Sequence, residues 1–299
     1  MNFFANDLTT TLAYSFLYLT VISLWIPFQK FPLWTAVLFV SIIFGVVSKR
    51  LEFVGLFFIL LLAVAIYCLQ NQKLPLLIRV FFFIIVFVLG IGLEAHLLPG
   101  FQNLKVLDAV RISQDGIPFT LYLNFDKTMV GIFILGMLHQ RISTKSEWMT
   151  MFKITIPRAI FIIFVIMCLS FILKFVRFDP KIPSSILIWS FTNLLFVCVA
   201  EEAFFRGFIQ KYLCVVLQRF RYGNLVAIII ASLLFGLAHY VGGIHYMVLA
   251  AVAGIGYGWL YFRTKRIEAS ILTHFSLNFV HFLFFTYPAL AIVLQKNTL

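Results

Sequence analysis

The chain has 299 residues, of which 63% are hydrophobic and only 11% charged, with a mean hydropathy of +1.04. Soluble domains are about half apolar and about a quarter charged, so a water-soluble fold is excluded and the bilayer is the solvent. The net charge of +12 does not signal nucleic acid, because the basic residues are scattered between apolar runs and form no patch; they fit loops that flank membrane spans and face anionic lipid.

Apolar runs at 8–27, 31–48, 51–70, 75–93, 128–140, 157–175, 184–214, 223–239, 245–262 and 267–285 read as helices. A span needs about 20 apolar residues, so these runs predict an all-α, polytopic transmembrane bundle of about 8–10 spans. The 128–140 run is short and reads as incomplete or tilted, and 31–48 with 51–70 could form one tight hairpin. Residues 1–7 lack a basic n-region, so the first run reads as a membrane helix rather than a cleaved signal. The most basic loops hold Arg141, Lys145, Lys153 and Arg158, then Arg219 and Arg221, then Arg263, Lys265 and Arg266. All fall on one side under the ten-span count, which makes that side cytoplasmic and puts both termini outside; the Lys49-Arg50 turn opposes this assignment.

One long polar stretch, 94–127, interrupts the apolar runs. Pro99-Gly100 and Asp115-Gly116 are turn signals, and Phe119, Tyr122 and Phe125 suit the headgroup level. The stretch reads as an extramembrane segment resting on the bilayer surface, with a plain connector as the alternative. Cys68, Cys168, Cys198 and Cys214 lie in or beside apolar runs without CxxC spacing and read as small packing residues. Two regions result: an N-terminal transmembrane region, 1–180, with no assigned role, and a candidate catalytic core, 184–285.

An ionisable side chain in a span costs about 2.5–3.5 kcal/mol on insertion scales, so each one asks for an explanation. The last spans hold several: Glu201-Glu202-Ala203-Phe204-Phe205-Arg206, then Phe235-Gly236-Leu237-Ala238-His239, then His274-Phe275-Ser276-Leu277-Asn278. Glu202 and Arg206 are four apart and can pair on one face. Glu201 points about 100° away and is expected to lack a local partner. His274 and Asn278 again share a face. Packed side by side, three such helices would bring Glu201, His239, His274 and Asn278 to one buried polar pocket.

That set has the parts of a hydrolytic site. A poorly solvated carboxylate suits a general base, a neighbouring histidine can share its water, and a second histidine with an asparagine amide can donate to an oxyanion. No activated serine or cysteine is evident, so water is the expected nucleophile. A lone intramembrane histidine is often only a packing residue, which is the reading given to His245 and His281. HExxH is absent, yet two histidines, a glutamate and an asparagine are all conceivable metal ligands. Ala250, Gly254 and Gly258 recur every four residues and predict a close helix approach; the glycines there follow no strand and make no nucleotide loop.

The motifs Glu201-Glu202-x-x-x-Arg206, Phe235-x-x-x-His239 and His274-x-x-x-Asn278, in that order, resemble those of the CAAX-protease and bacteriocin-processing (Abi) family of intramembrane peptidases. The resemblance covers roughly 184–285. It implies that Glu201 activates water with help from His239, that His274 and Asn278 stabilise the oxyanion, and that Glu202 and Arg206 support them. A metal-independent glutamate mechanism is the simpler expectation; a zinc site would instead use Glu201, His239 and His274 as ligands.

The expected function is therefore an intramembrane endopeptidase acting on a membrane-associated protein or peptide, lipidated or not, in the bacterial cytoplasmic membrane. A transporter or channel is the competing class, but it should show inverted repeats, whereas the polar residues here gather in one third of the chain. A catalytically idle immunity or scaffold member of the same family is the other alternative.

Overall fold

A computed structural model describes residues 7–27 and 31–291; residues 1–6, on which the absence of a basic n-region was read, lie outside them. The described chain is 71% helical, with ten helices. In chain order they are α1 (Leu8–Ser23), α2 (Leu33–Val47), α3 (Phe53–Gln70), α4 (Leu76–Glu94), α5 (Phe125–Leu138), α6 (Lys145–Ile172), α7 (Ile186–Val216), α8 (Gly223–Ala238), α9 (Gly243–Thr264) and α10 (Ile267–Phe284). Six stretches are long and apolar enough to cross a membrane: α3, α4, α6, α7, α9 with the short turn before it, and α10. The all-α bundle is borne out, and the protein is an integral membrane protein. Helices α1, α2 and α8 are apolar but shorter.

Three features differ from expectation. Helix α6 begins at Lys145 rather than 157, because Thr144 and Glu147 form a capping box: the Glu147 amide donates to the Thr144 hydroxyl, and the Thr144 amide to the Glu147 carboxylate, each at 3.2 Å. Such a reciprocal cap starts a helix inside polar sequence, and Pro157 is carried within it. The polar stretch 94–127 contains a two-stranded sheet, β1 (Leu104–Val110) paired with β2 (Phe119–Leu123). Phe125, expected at headgroup level, is instead fully buried, edge-on to Tyr14 at 5.8 Å.

The chain divides into two units that interleave along the sequence. The first comprises residues 1–106, 122–143 and 195–207, and its centre is α5. Packed by α1, α3, α4 and the 199–202 turn of α7, α5 is buried along Thr128–Leu135 on every face. A helix apolar all round belongs in a core, and 14 residues are too few to span. Glycine sets the spacing here: a Cβ on Gly131 would lie 2.9 Å from the Ala200 Cα, so only glycine lets α5 approach α7 this closely.

The second unit comprises residues 107–121, 144–194 and 208–299. Helix α9 packs against α6, α8 and α10. Ala250, Gly254 and Gly258 are buried along it, as the four-residue spacing predicted. The bare Gly258 admits the Gln210 side chain, whose amide donates to the Gly258 carbonyl at 2.9 Å. All four cysteines are free thiols.

Candidate active site

The first unit holds a buried charged centre. Helix α4 stops when His96 takes the left-handed conformation (φ 57°) and the Leu97 amide turns back to the Gly92 carbonyl at 2.8 Å, a helix-terminating motif. The turn brings His96 Nδ1 to 2.8 Å from the buried Asp126 carboxylate. Asn103 donates to the other Asp126 oxygen at 3.0 Å and accepts the Phe125 amide at 2.8 Å. These contacts fix the first turn of α5, and with it Lys127.

The Lys127 ammonium lies 2.6 Å from Glu201 Oε1 and 3.3 Å from Glu94 Oε2. Beside it, Arg206 Nε stands 3.3 Å from Glu202 Oε2, both side chains having no exposure at all. The expected Glu202–Arg206 pair is therefore formed. Glu201, expected to lack a local partner, has a distant one: Lys127 of α5, far away in sequence and invisible to a same-helix count. Locally, α7 carries the two glutamates on a single α-turn, Val199–Glu202, between π-helical segments at Asn193–Cys198 and Ala203–Gln210. Widened turns of this kind recur where a helix carries function.

The second unit holds a cavity of about 60 Å3, lined among others by Phe235, His239, Tyr257, His274, Asn278 and His281. A water needs at least about 10–15 Å3 by this measure, so several waters or a peptide group fit. His239 ends α8 as its C-terminal cap, and its Nδ1 donates to the Phe235 carbonyl at 2.7 Å. That bond fixes the tautomer: the lone pair of the neutral ring resides on Nε2. Phe235 is edge-on to both histidines, at 4.7 Å from His239 and 5.7 Å from His274. His274 also stacks on Tyr257 at 4.8 Å, so aromatic walls hold both rings. Asn278 donates from Nδ2 to Asn193 Oδ1 at 3.2 Å, which orients its amide. His281, read as a packing residue, lines the same cavity and donates to the Thr286 carbonyl at 3.1 Å.

Of the predicted site residues, His239, His274 and Asn278 share this cavity, while Glu201, Glu202 and Arg206 sit in the first unit's charged centre. Over residues 183–280 the chain matches the family described as Type II CAAX prenyl endopeptidase Rce1-like. This segment is thus similar to the CAAX-protease family. The family is one of proteases, and all six motif residues, Glu201 to Asn278, fall inside the match. The chain matches no curated protein and no solved structure at a significant level.

The residues that sequence reasoning missed are Glu94, His96, Asn103, Asp126, Lys127 and Asn193. Glu94 and Lys127 stood at the rims of predicted spans, where charges are ordinarily solvated. Their signal was positional: each directly abuts an apolar run, on the flank that the polar stretch 94–127 leaves open.

Proposed function

We propose that the protein is an intramembrane endopeptidase that hydrolyses a peptide bond of a membrane-associated protein or peptide by means of glutamate-activated water. The observation that carries this reading is the match of 183–280 to a protease family with the motif residues Glu201, Glu202, Arg206, His239, His274 and Asn278 in order. Glu201 takes a proton from water as the oxygen attacks the scissile carbonyl. His274 and Asn278 donate to the oxyanion that forms. Collapse of the tetrahedral intermediate breaks the C–N bond, and the proton held by Glu201 passes to the leaving amine; the family resemblance assigns His239 the part of assisting in water activation. The Glu202–Arg206 pair keeps the α7 turn in place. The fixed tautomer of His239 and the Asn193-oriented amide of Asn278 support these roles.

A zinc ion fits Glu201 poorly. An ammonium already lies 2.6 Å from its Oε1, and a divalent cation on the same carboxylate would meet a like charge at close range. Activity is therefore expected to persist in strong chelator. About one zinc per chain, with activity lost on chelation and restored by the metal, would reverse this conclusion.

The test of the function is proteolysis in liposomes of a library of quenched fluorogenic peptides with apolar segments, with and without lipid attached. Glu201→Gln is expected to lower turnover by about 10²–10⁴-fold, the range for a general base, in a protein that still folds. Wild-type turnover by well-folded Glu201→Gln defeats the mechanism. Cleavage confined to the lipidated or to the unlipidated peptides names the substrate class.

A further inference from the structure

Three ionisable side chains from three helices meet in the first unit: Glu94 at the end of α4, Lys127 in the first turn of α5 and Glu201 in the middle of α7. Their side chains are only 10%, 11% and 9% exposed. Two of them lie outside 183–280, the segment that carries the protease resemblance. Burying an ammonium between two carboxylates is costly unless each is satisfied, and nothing in the packing of α5 requires a lysine there, since its neighbours along Thr128–Leu135 are apolar or small and buried. The two contacts also differ. The bond to Glu201 is short, 2.6 Å against about 2.7–2.9 Å for an ammonium–carboxylate hydrogen bond, while Glu94 stands 3.3 Å off on the other contact.

We propose that Lys127 is a positioning residue for Glu201: its ammonium, steadied by Glu94, binds Glu201 Oε1 and so holds the carboxylate in the rotamer from which it takes the proton from water. The proposal rests on the reading of Glu201 as the base. It gives the N-terminal region a share in the chemistry: Glu94 and Lys127 set the rotamer of a group that the matched segment supplies. The approach depends on Gly131, one turn along α5, where any larger residue would push Lys127 away from α7. It depends equally on the His96–Asp126–Asn103 contacts that anchor the turn.

The experiment compares Lys127→Met, Lys127→Arg and Glu201→Gln on the best-cleaved peptide of the fluorogenic library, together with labelling of Glu201 by dicyclohexylcarbodiimide read by mass spectrometry. Lys127→Met is expected to lower kcat at least about 10-fold with KM within about twofold, the pattern of an interaction made in the transition state; Lys127→Arg recovers most of the loss. Carbodiimide labelling of Glu201, weak in the wild type because its carboxylate is paired, rises in Lys127→Met and not in Lys127→Arg. Wild-type kcat in Lys127→Met beside an inactive Glu201→Gln overturns the proposal and leaves the peptidase reading standing, whereas full activity of Glu201→Gln removes that reading first. Unchanged labelling in Lys127→Met overturns the proposal without any reference to turnover. Should Lys127→Met fail to fold, Lys127→Met in the Glu94→Gln background, compared with Glu94→Gln alone, decides: equal kcat and equal labelling sink the idea.

Discussion

The two polar centres are built on opposite principles. In the first unit, charge is answered by charge: Glu202 by Arg206, and Glu201 and Glu94 by Lys127, all nearly or wholly out of contact with solvent. In the second, the polar groups are held by ring faces, backbone carbonyls and one amide: His239 by Phe235, His274 by Tyr257, Asn278 by Asn193. The difference teaches where mutation will be felt. A buried ion that loses its counterion is left uncompensated in low dielectric, so the charged centre ties function to folding. Truncating an amide or imidazole that is not part of an ion pair leaves a cavity and a lost hydrogen bond but no uncompensated counterion, so the second centre can lose function while the fold survives.

The sharpest way to break this comparison is Arg206→Ala. It is expected to cost about 3–5 kcal/mol of stability, seen as a fall in folded yield and melting temperature in detergent. An Arg206→Ala protein that melts with the wild type would mean that the pair contributes nothing and that the contrast between the centres is false. On the other side, Asn278→Ala should lower kcat about 10²–10³-fold, as expected for an oxyanion donor, with a melting temperature close to the wild type. A large drop in stability there would place Asn278 in the scaffold and not in the chemistry. The smallest effect sharpens the packing around the charged centre. A Cβ on Gly90 would meet the Phe204 ring at 2.2 Å, and Phe204 is itself wedged against Phe87 and Phe205. Gly90→Ala should therefore cost about 1–3 kcal/mol, the range for overpacking, and a neutral result would show that the Phe204 ring can turn aside.

What the sequence disclosed follows the reach of local rules. Hydropathy located all ten helices, because a bilayer punishes any long polar run and rewards any apolar one. The i,i+4 rule found Glu202–Arg206, and the four-residue repeat found the smooth face at Ala250, Gly254 and Gly258. The failures are the non-local contacts. Lys127 reaches Glu201 across 74 residues and Asn193 meets Asn278 across 85, separations over which no periodicity speaks. The sheet at Leu104–Val110 and Phe119–Leu123 was hidden because its strands are short and mixed in polarity. Phe125 was misplaced because an aromatic at the edge of an apolar run looks like an interfacial anchor whether it faces lipid or, as here, Tyr14. The start of α6 was legible in principle, since Thr144-x-x-Glu147 is a capping-box pattern, but the basic residues after it suggested a loop.

Helix α8 has a consequence beyond its packing. Its 16 residues rise only about 24 Å, against a hydrocarbon core about 30 Å thick, and its end is marked by His239, with Tyr240 and Val241 exposed just beyond. Where lipid meets such a helix, the mismatch is relieved by thinning of the bilayer, by flanking side chains that reach the interface or by helix association, at a cost of fractions of a kcal/mol per ångström. Thinning, where it occurs, would bring the headgroup layer, and the water that comes with it, closer to the ends of α8, one of which is His239. A reaction that consumes water inside a membrane would thus be supplied by the shape of the bilayer itself, and vesicles of short-chain lipid would hydrate that end more readily than thick ones.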